Sequence, residues 1–136
     1  MTMLKILVPL DGTEKSMHSL NWLKKYFSNE DVEVTLINVV ELFYKADNFS
    51  LTNSETAEQA SIQVLDAAEK ELEGYKVNKL NAEGYISDII LAEAKDGNYD
   101  MIVMTKSSVK GISRVIGSVT NKVIHNSDVT VVVVPE

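Results

Sequence analysis

Three short stretches of this chain are nearly unbroken apolar runs: LKILVPL (4–10), YDMIVMT (99–105) and VTVVVVP (129–135). A fourth, VEVTLINVV (32–40), is almost as apolar. Each is too short for a helix and rich in β-branched residues, the pattern of a strand covered on both faces. A sheet covered on both faces needs helices to cover it, and the intervening segments supply them. TEKSMHSLNWLKKYFS (13–28) repeats Met17, Leu20, Leu23, Tyr26 and Phe27 at helical spacing, with Thr13 as its N-cap. Ser54 opens a second helix through Leu72, and Gly74 stops it. Residues 86–95 and 118–125 read as two further helices. KVNKLNAEG (76–84) alternates weakly and reads as an edge strand, and 41–53 reads as a loop. Strands alternating with helices predict a three-layer, open, parallel five-stranded sheet joined by right-handed crossovers.

The chain has 136 residues and a 45% hydrophobic fraction, which predicts one globular domain spanning 1–136. Thirteen basic residues against twenty acidic give a net charge of -7, the wrong sign for a nucleic-acid binder. The absence of cysteine excludes disulfides, thiolate metal sites and cysteine nucleophiles. The apolar start is too short for a signal segment or a membrane span, so a cytoplasmic protein without a membrane role is expected.

Open parallel sheets bind ligands beyond the carboxyl ends of their strands, where the winding direction reverses. The residues there are Pro9, Asp11, Gly12 and Thr13 after the first strand, Val39 and Glu41 after the second, and Thr105 to Ser118 after the fourth. Asp11 suits a pair of ribose hydroxyls, because a carboxylate accepts from both; it equally suits a plain turn with Gly12. Gly117-Ser118 precedes a helix whose free amides would attract phosphate, with the Ser118 and Thr120 hydroxyls adding donors; an ordinary serine N-cap reads the same way. Lys106, Lys110 and Arg114 make this stretch locally basic. His18 and His125 lie beside no nucleophile, and Trp22 reads as packing. GxxxxGK[ST], GxGxxG, GxSxG and HExxH are all missing. A receiver-type regulator would need an acidic pair after the first strand and an aspartate ending the third; Asp11 stands alone there.

Taken together, these residues resemble the universal stress protein family. LKILVPLDGTEKS is similar to its opening strand, aspartate and helix start, LINVVE to its second strand, and residues 99–135 to its long C-terminal signature. The resemblance implies a strand order of 3-2-1-4-5 in an adenine-nucleotide-binding, Rossmann-like fold. It also implies a homodimer, expected here through 129–135. No residues of the chain assemble a catalytic constellation, so no enzymatic activity is expected. Members that bind ATP carry glycine, two residues, glycine, nine residues, glycine, then serine or threonine. Gly117-Ser118 matches the last pair, but Thr105 and Ser108 replace the first two glycines, and eight residues separate Ser108 from Gly117. Asp11, Val39, and Val119 with Thr120 match positions that the resemblance assigns to ribose, adenine and phosphate, and Pro9 at the strand end joins them as a candidate site residue. The expectation is therefore a non-catalytic dimeric stress-response domain with a degenerate nucleotide loop. The alternative is an ATP-binding switch, with Mg²⁺, that hydrolyses little or nothing.

Overall fold

A computed structural model describes residues 3–41, 54–106 and 117–135 of the chain. Strand β1 (Leu4–Pro9) leads through a 3₁₀ turn (Lys15–Met17) into helix α1 (His18–Tyr26). Then follow β2 (Val32–Glu41), α2 (Ser54–Glu71), β3 (Lys76–Gly84), α3 (Ile86–Asp96), β4 (Met101–Thr105), α4 (Ser118–Asn126) and β5 (Thr130–Val134). All four strand pairings are parallel and the order is β3-β2-β1-β4-β5. This is the predicted Rossmann-like sheet.

The side-chain alternation of a strand splits the core in two. Ile6 and Val8 of β1 point to one face, where they meet Leu20 and Leu23 of α1 and Leu65, Ala68 and Leu72 beside α2. Leu7, between them, points to the other face, toward Ile90 and Ala94 of α3 and Val123 of α4. Burying both faces is what makes LKILVPL read as an unbroken apolar run. Ile62, one of the apolar positions of α2, stays 45% exposed.

Two expectations need correction. The 13–28 segment is not one α-helix: it opens as a 3₁₀ turn whose hydrogen-bond ladder gives way to α-helix at His18, with Met17 and His18 both right-handed, and Phe27 is already extended (φ -128, ψ 134). The predicted capping bond forms nonetheless, since Ser16 N–H donates to Thr13 Oγ1 at 3.2 Å. Strand β5 was expected to be buried on both faces, but Val131, Val132 and Val133 are only half-buried. Its side chains pack on both cores, yet among the described strands it is an edge and only β4 flanks it.

The chain steps outward from β1 to β2 and β3, then returns to the far side of β1 as β4. The reversal therefore lies between β1 and β4, and the crevice it opens is where a ligand is sought in such a sheet.

Candidate functional site

A cleft of about 250 Å³ lies at the carboxyl end of the sheet, over this reversal. Pro9 and Leu10 from the end of β1, Ile37 to Val39 of β2, and Met104 and Thr105 of β4 form its floor. Asp11 and Ser16 form one wall; Ile86 and Ile90 of α3, with Val119 and Thr120 of α4, form the other. Six of the nine residues expected at the site thus line one space: Pro9, Asp11, Val39, Thr105, Val119 and Thr120. Gly117 and Ser118 directly precede that wall, with Gly117 as the N-cap of α4. Ser108 lies outside the described residues, as do Lys110 and Arg114.

The wall that carries Asp11 is built by hydrogen bonds. Asp11 Oδ1 accepts the Thr13 amide at 2.9 Å and the Thr13 hydroxyl at 2.6 Å, so the turn reading of Asp11 is correct for this oxygen. No described residue hydrogen-bonds Oδ2. Between them, Gly12 sits at φ +86, and a Cβ there would meet Val64 Cγ2 of α2 at 3.2 Å. The glycine is needed both for its left-handed backbone and for the close approach of α2.

Asn38, which the sequence pattern did not single out, anchors the near end of this wall. It is buried, and its Nδ2 donates to Leu10 O at 2.7 Å. Leu10 N–H donates to Ile37 O at 2.9 Å. Asn38 thereby adds one more rung beyond the β1–β2 ladder and satisfies a carbonyl that leaves the sheet pointing into a buried space. An isolated polar residue in an apolar strand was the only signal for it.

Thr105, at the position that aligns with the pattern's first glycine, anchors the far end. Its side chain is buried. Oγ1 accepts the Ser19 amide at 3.0 Å and donates to Ser16 O at 3.3 Å. The hydroxyl is thus engaged with the start of α1.

Ile37, Ile86, Ile90 and Met104, also not singled out, complete an apolar pocket beside Val39 and Val119. Such a surface suits the flat faces of an aromatic base, with a few polar groups fixing its orientation. Among the described lining residues Asp11 is the one ionisable side chain. His18 opens α1, half-buried, and His125 is exposed in the last turn of α4, its Nδ1 2.9 Å from Asn121 O. Neither lines the cleft. The described residues contain no cluster of His, Asp or Glu able to hold a metal ion, and no helix long and apolar enough to cross a membrane.

The comparisons with known proteins agree with this fold. The model of the universal stress protein family matches residues 3–135. The universal stress protein MJ0531 of Methanocaldococcus jannaschii is 30% identical, over 96% of this chain and 81% of its own length. Among solved structures, the hypothetical protein MJ0577 superposes with a TM-score of 0.81 at 27% identity, covering 100% of this chain and 98% of that one. At 16% identity the likeness is one of fold. An Arabidopsis thaliana family member was solved with AMP bound (TM-score 0.74, covering 98% of this chain and 92% of that one). A universal stress protein from Archaeoglobus fulgidus was solved in complex with dAMP (TM-score 0.65, 97% of each chain covered). With the sheet order and a family match over almost its whole length in agreement, the chain belongs to the universal stress protein family.

Proposed function

We propose that this protein is a non-catalytic stress-response domain whose cleft takes the nucleoside part of an adenine nucleotide. The observation that carries this reading is the convergence of Pro9, Asp11, Val39, Val119 and Thr120 on one apolar crevice at the strand reversal. AMP and dAMP in solved relatives support the ligand class. The base packs among Val39, Ile37 and the isoleucines of α3, the ribose meets Asp11, and the phosphates lie toward Gly117-Ser118 at the start of α4. There the first-turn amides supply donors and a partial positive charge.

The loop is degenerate on its front side. With Thr105 turned into α1, the first position of the glycine pattern contributes no phosphate donor. AMP and ATP therefore bind with similar affinity, and any Mg²⁺ arrives on the phosphates, since the described lining offers one carboxylate. One carboxylate with no second acid, histidine or lysine beside it among the described lining residues provides no general acid–base pair, which supports binding without turnover. The half-buried valines of β5 and its open edge support a homodimer through this strand: an unpaired apolar edge invites pairing, and a two-fold mate satisfies it.

Calorimetric titration with AMP, and with ATP and Mg²⁺, tests the reading. Saturable binding of both is expected, with dissociation constants within about tenfold of each other. Gly117→Val is expected to abolish it: the backbone there (φ -61, ψ 158) accepts valine, so the loss reports filled space. No heat with either nucleotide for the wild type refutes nucleotide binding, and equal binding by Gly117→Val refutes the placement of the phosphates.

A further inference from the structure

The departure of Thr105 from glycine has a structural counterpart at the opposite side of the cleft. Where the 3₁₀ turn Lys15–Met17 meets α1, the regular helical ladder is interrupted. An interruption of this kind leaves backbone groups that need partners, and here they are buried: Ser19 is fully covered and Ser16 nearly so. Thr105 supplies the missing partner from across the sheet. Its Oγ1 takes the Ser19 N–H at 3.0 Å and gives its own proton to Ser16 O, which Ser19 Oγ also reaches at 2.8 Å. One threonine hydroxyl thus serves as acceptor and donor at a single break, a task glycine cannot perform.

From this key the hydrogen bonds run without interruption to Asp11. Ser16 N–H donates to Thr13 Oγ1 at 3.2 Å, and Ser16 Oγ donates to Thr13 O at 2.8 Å. Thr13 then holds Asp11 Oδ1 through both its amide and its hydroxyl. Thr105 lies 94 positions from Asp11 in the sequence, yet it reaches the carboxylate through two residues. Asn38 pins the same segment at Leu10, so its two ends are fixed by side chains from the strands on either side of β1.

We infer that Thr105 is a positioning residue for Asp11: its hydroxyl locks the break before α1 to the end of β4 and, through Ser16 and Thr13, sets the carboxylate that faces the cleft. The inference rests on the nucleotide-binding reading for its ligand but not for its mechanics. Its sharpest consequence runs against the sequence pattern. Restoring the pattern's glycine at this position lowers nucleotide affinity, because it removes the key, whereas a side chain that merely obstructed phosphate would give the opposite result.

Two measurements test it. The first uses ligand-free protein: amide hydrogen exchange of the wild type, Thr105→Ser and Thr105→Val. Thr105→Val keeps the shape and removes the hydroxyl; exchange at Ser19 is expected to accelerate at least tenfold, with acceleration also at Ser16 and Thr13, while Thr105→Ser stays near the wild type. Acceleration confined to Ser19, or none, overturns the inference, and so does a Thr105→Ser variant that behaves like valine. The second is AMP titration in a double-mutant cycle with Asp11→Ala. Thr105→Val and Thr105→Gly are each expected to weaken AMP about tenfold in the wild-type background and to add little once Asp11 is alanine. Undiminished losses on the alanine background, or tighter binding by Thr105→Gly, overturn it. If the wild type binds no AMP, the nucleotide reading fails, and the exchange rates alone decide whether Thr105 sets Asp11.

Discussion

Replacing Asp11 by asparagine separates two duties of one carboxylate. Oδ1 holds the turn through the Thr13 amide and hydroxyl at 2.9 and 2.6 Å, while Oδ2 has no partner among the described residues. Asparagine keeps an Oδ1 acceptor for Thr13 and puts an NH₂ donor in place of Oδ2. Alanine removes both. Losing a capping-type acceptor at an exposed turn costs about 1–2 kcal/mol. For a domain of this size that lowers the melting temperature by roughly 3–5 °C per kcal/mol. Asp11→Ala is therefore expected to melt several degrees below the wild type. Asp11→Asn, which gives up only the charge on two retained hydrogen bonds, is expected within about 0.5–1 kcal/mol of it.

Binding follows a different order. A ribose hydroxyl loses its acceptor in both variants, a change worth about 1.5–3 kcal/mol for a charged partner, or roughly 10–150-fold in Kd. Differential scanning calorimetry and AMP titration on the same three proteins read both quantities. The expected pattern is asparagine nearly as stable as aspartate but as poor a binder as alanine. Asparagine binding AMP as tightly as the wild type would show that the second oxygen does not meet the ligand. Alanine melting with the wild type would show that the Thr13 hydrogen bonds hold nothing.

The layers of the fold were legible because they follow from local periodicity. An apolar run such as LKILVPL states that both faces are covered, and the spacing of Leu20 and Leu23 states which side of α1 faces inward. The candidate site was legible in part for the same reason: strand ends can be located once strands are, so Pro9, Asp11, Val39 and Thr105 were found by position. What stayed hidden depends on partners distant in sequence. The break before α1 is completed by a hydroxyl 86 residues away. The anchoring of Leu10 by Asn38 spans 28 residues, and no local pattern distinguishes that asparagine from a tolerated polar residue. The end of α3 shows a third case. Gly97, which caps α3, has an ordinary right-handed backbone (φ -83), and the left-handed residue there is Asn98 at φ 55. Gly97 is there for space, since a Cβ would come within 2.4 Å of the Tyr99 ring.

That distinction between glycines is itself testable. Gly12→Ala is expected to cost about 1–2 kcal/mol in urea unfolding from its left-handed backbone, and trimming Val64 to alanine does not recover it; a fully rescued double variant would locate the cost in the contact instead. Gly97→Ala carries no backbone strain, so its expected loss, about 1–3 kcal/mol, comes from overpacking against Tyr99 and Glu93 O; unchanged unfolding would mean the ring moves aside freely. Tyr99 also bears on pH. Burial, above all, raises its phenol above the ordinary value of 10.0, so the folded state holds the proton more tightly than the unfolded chain. The resulting stability is fully present below pH 10 and is lost as pH rises through the higher folded value. Tyr99→Phe is expected to melt with a shallower decline than the wild type above that pH, and parallel declines would refute the assignment. The edge strand gives the last test. Val131, Val132 and Val133 are half-buried, and among the described residues β5 has no neighbour opposite β4 in the sheet. A flat apolar edge of this kind is a template for pairing, and a two-fold mate would cover the same valines on both copies. Val132 packs with the α1–α2 core and Val133 with the α3–α4 core, so a charge at either position strikes a different face of the same edge. If pairing through β5 holds the dimer, Val132→Asp and Val133→Asp both shift sedimentation toward the monomer; a change in only one would place the contact on one face of the sheet, and dimers persisting in both would place it elsewhere on the molecule.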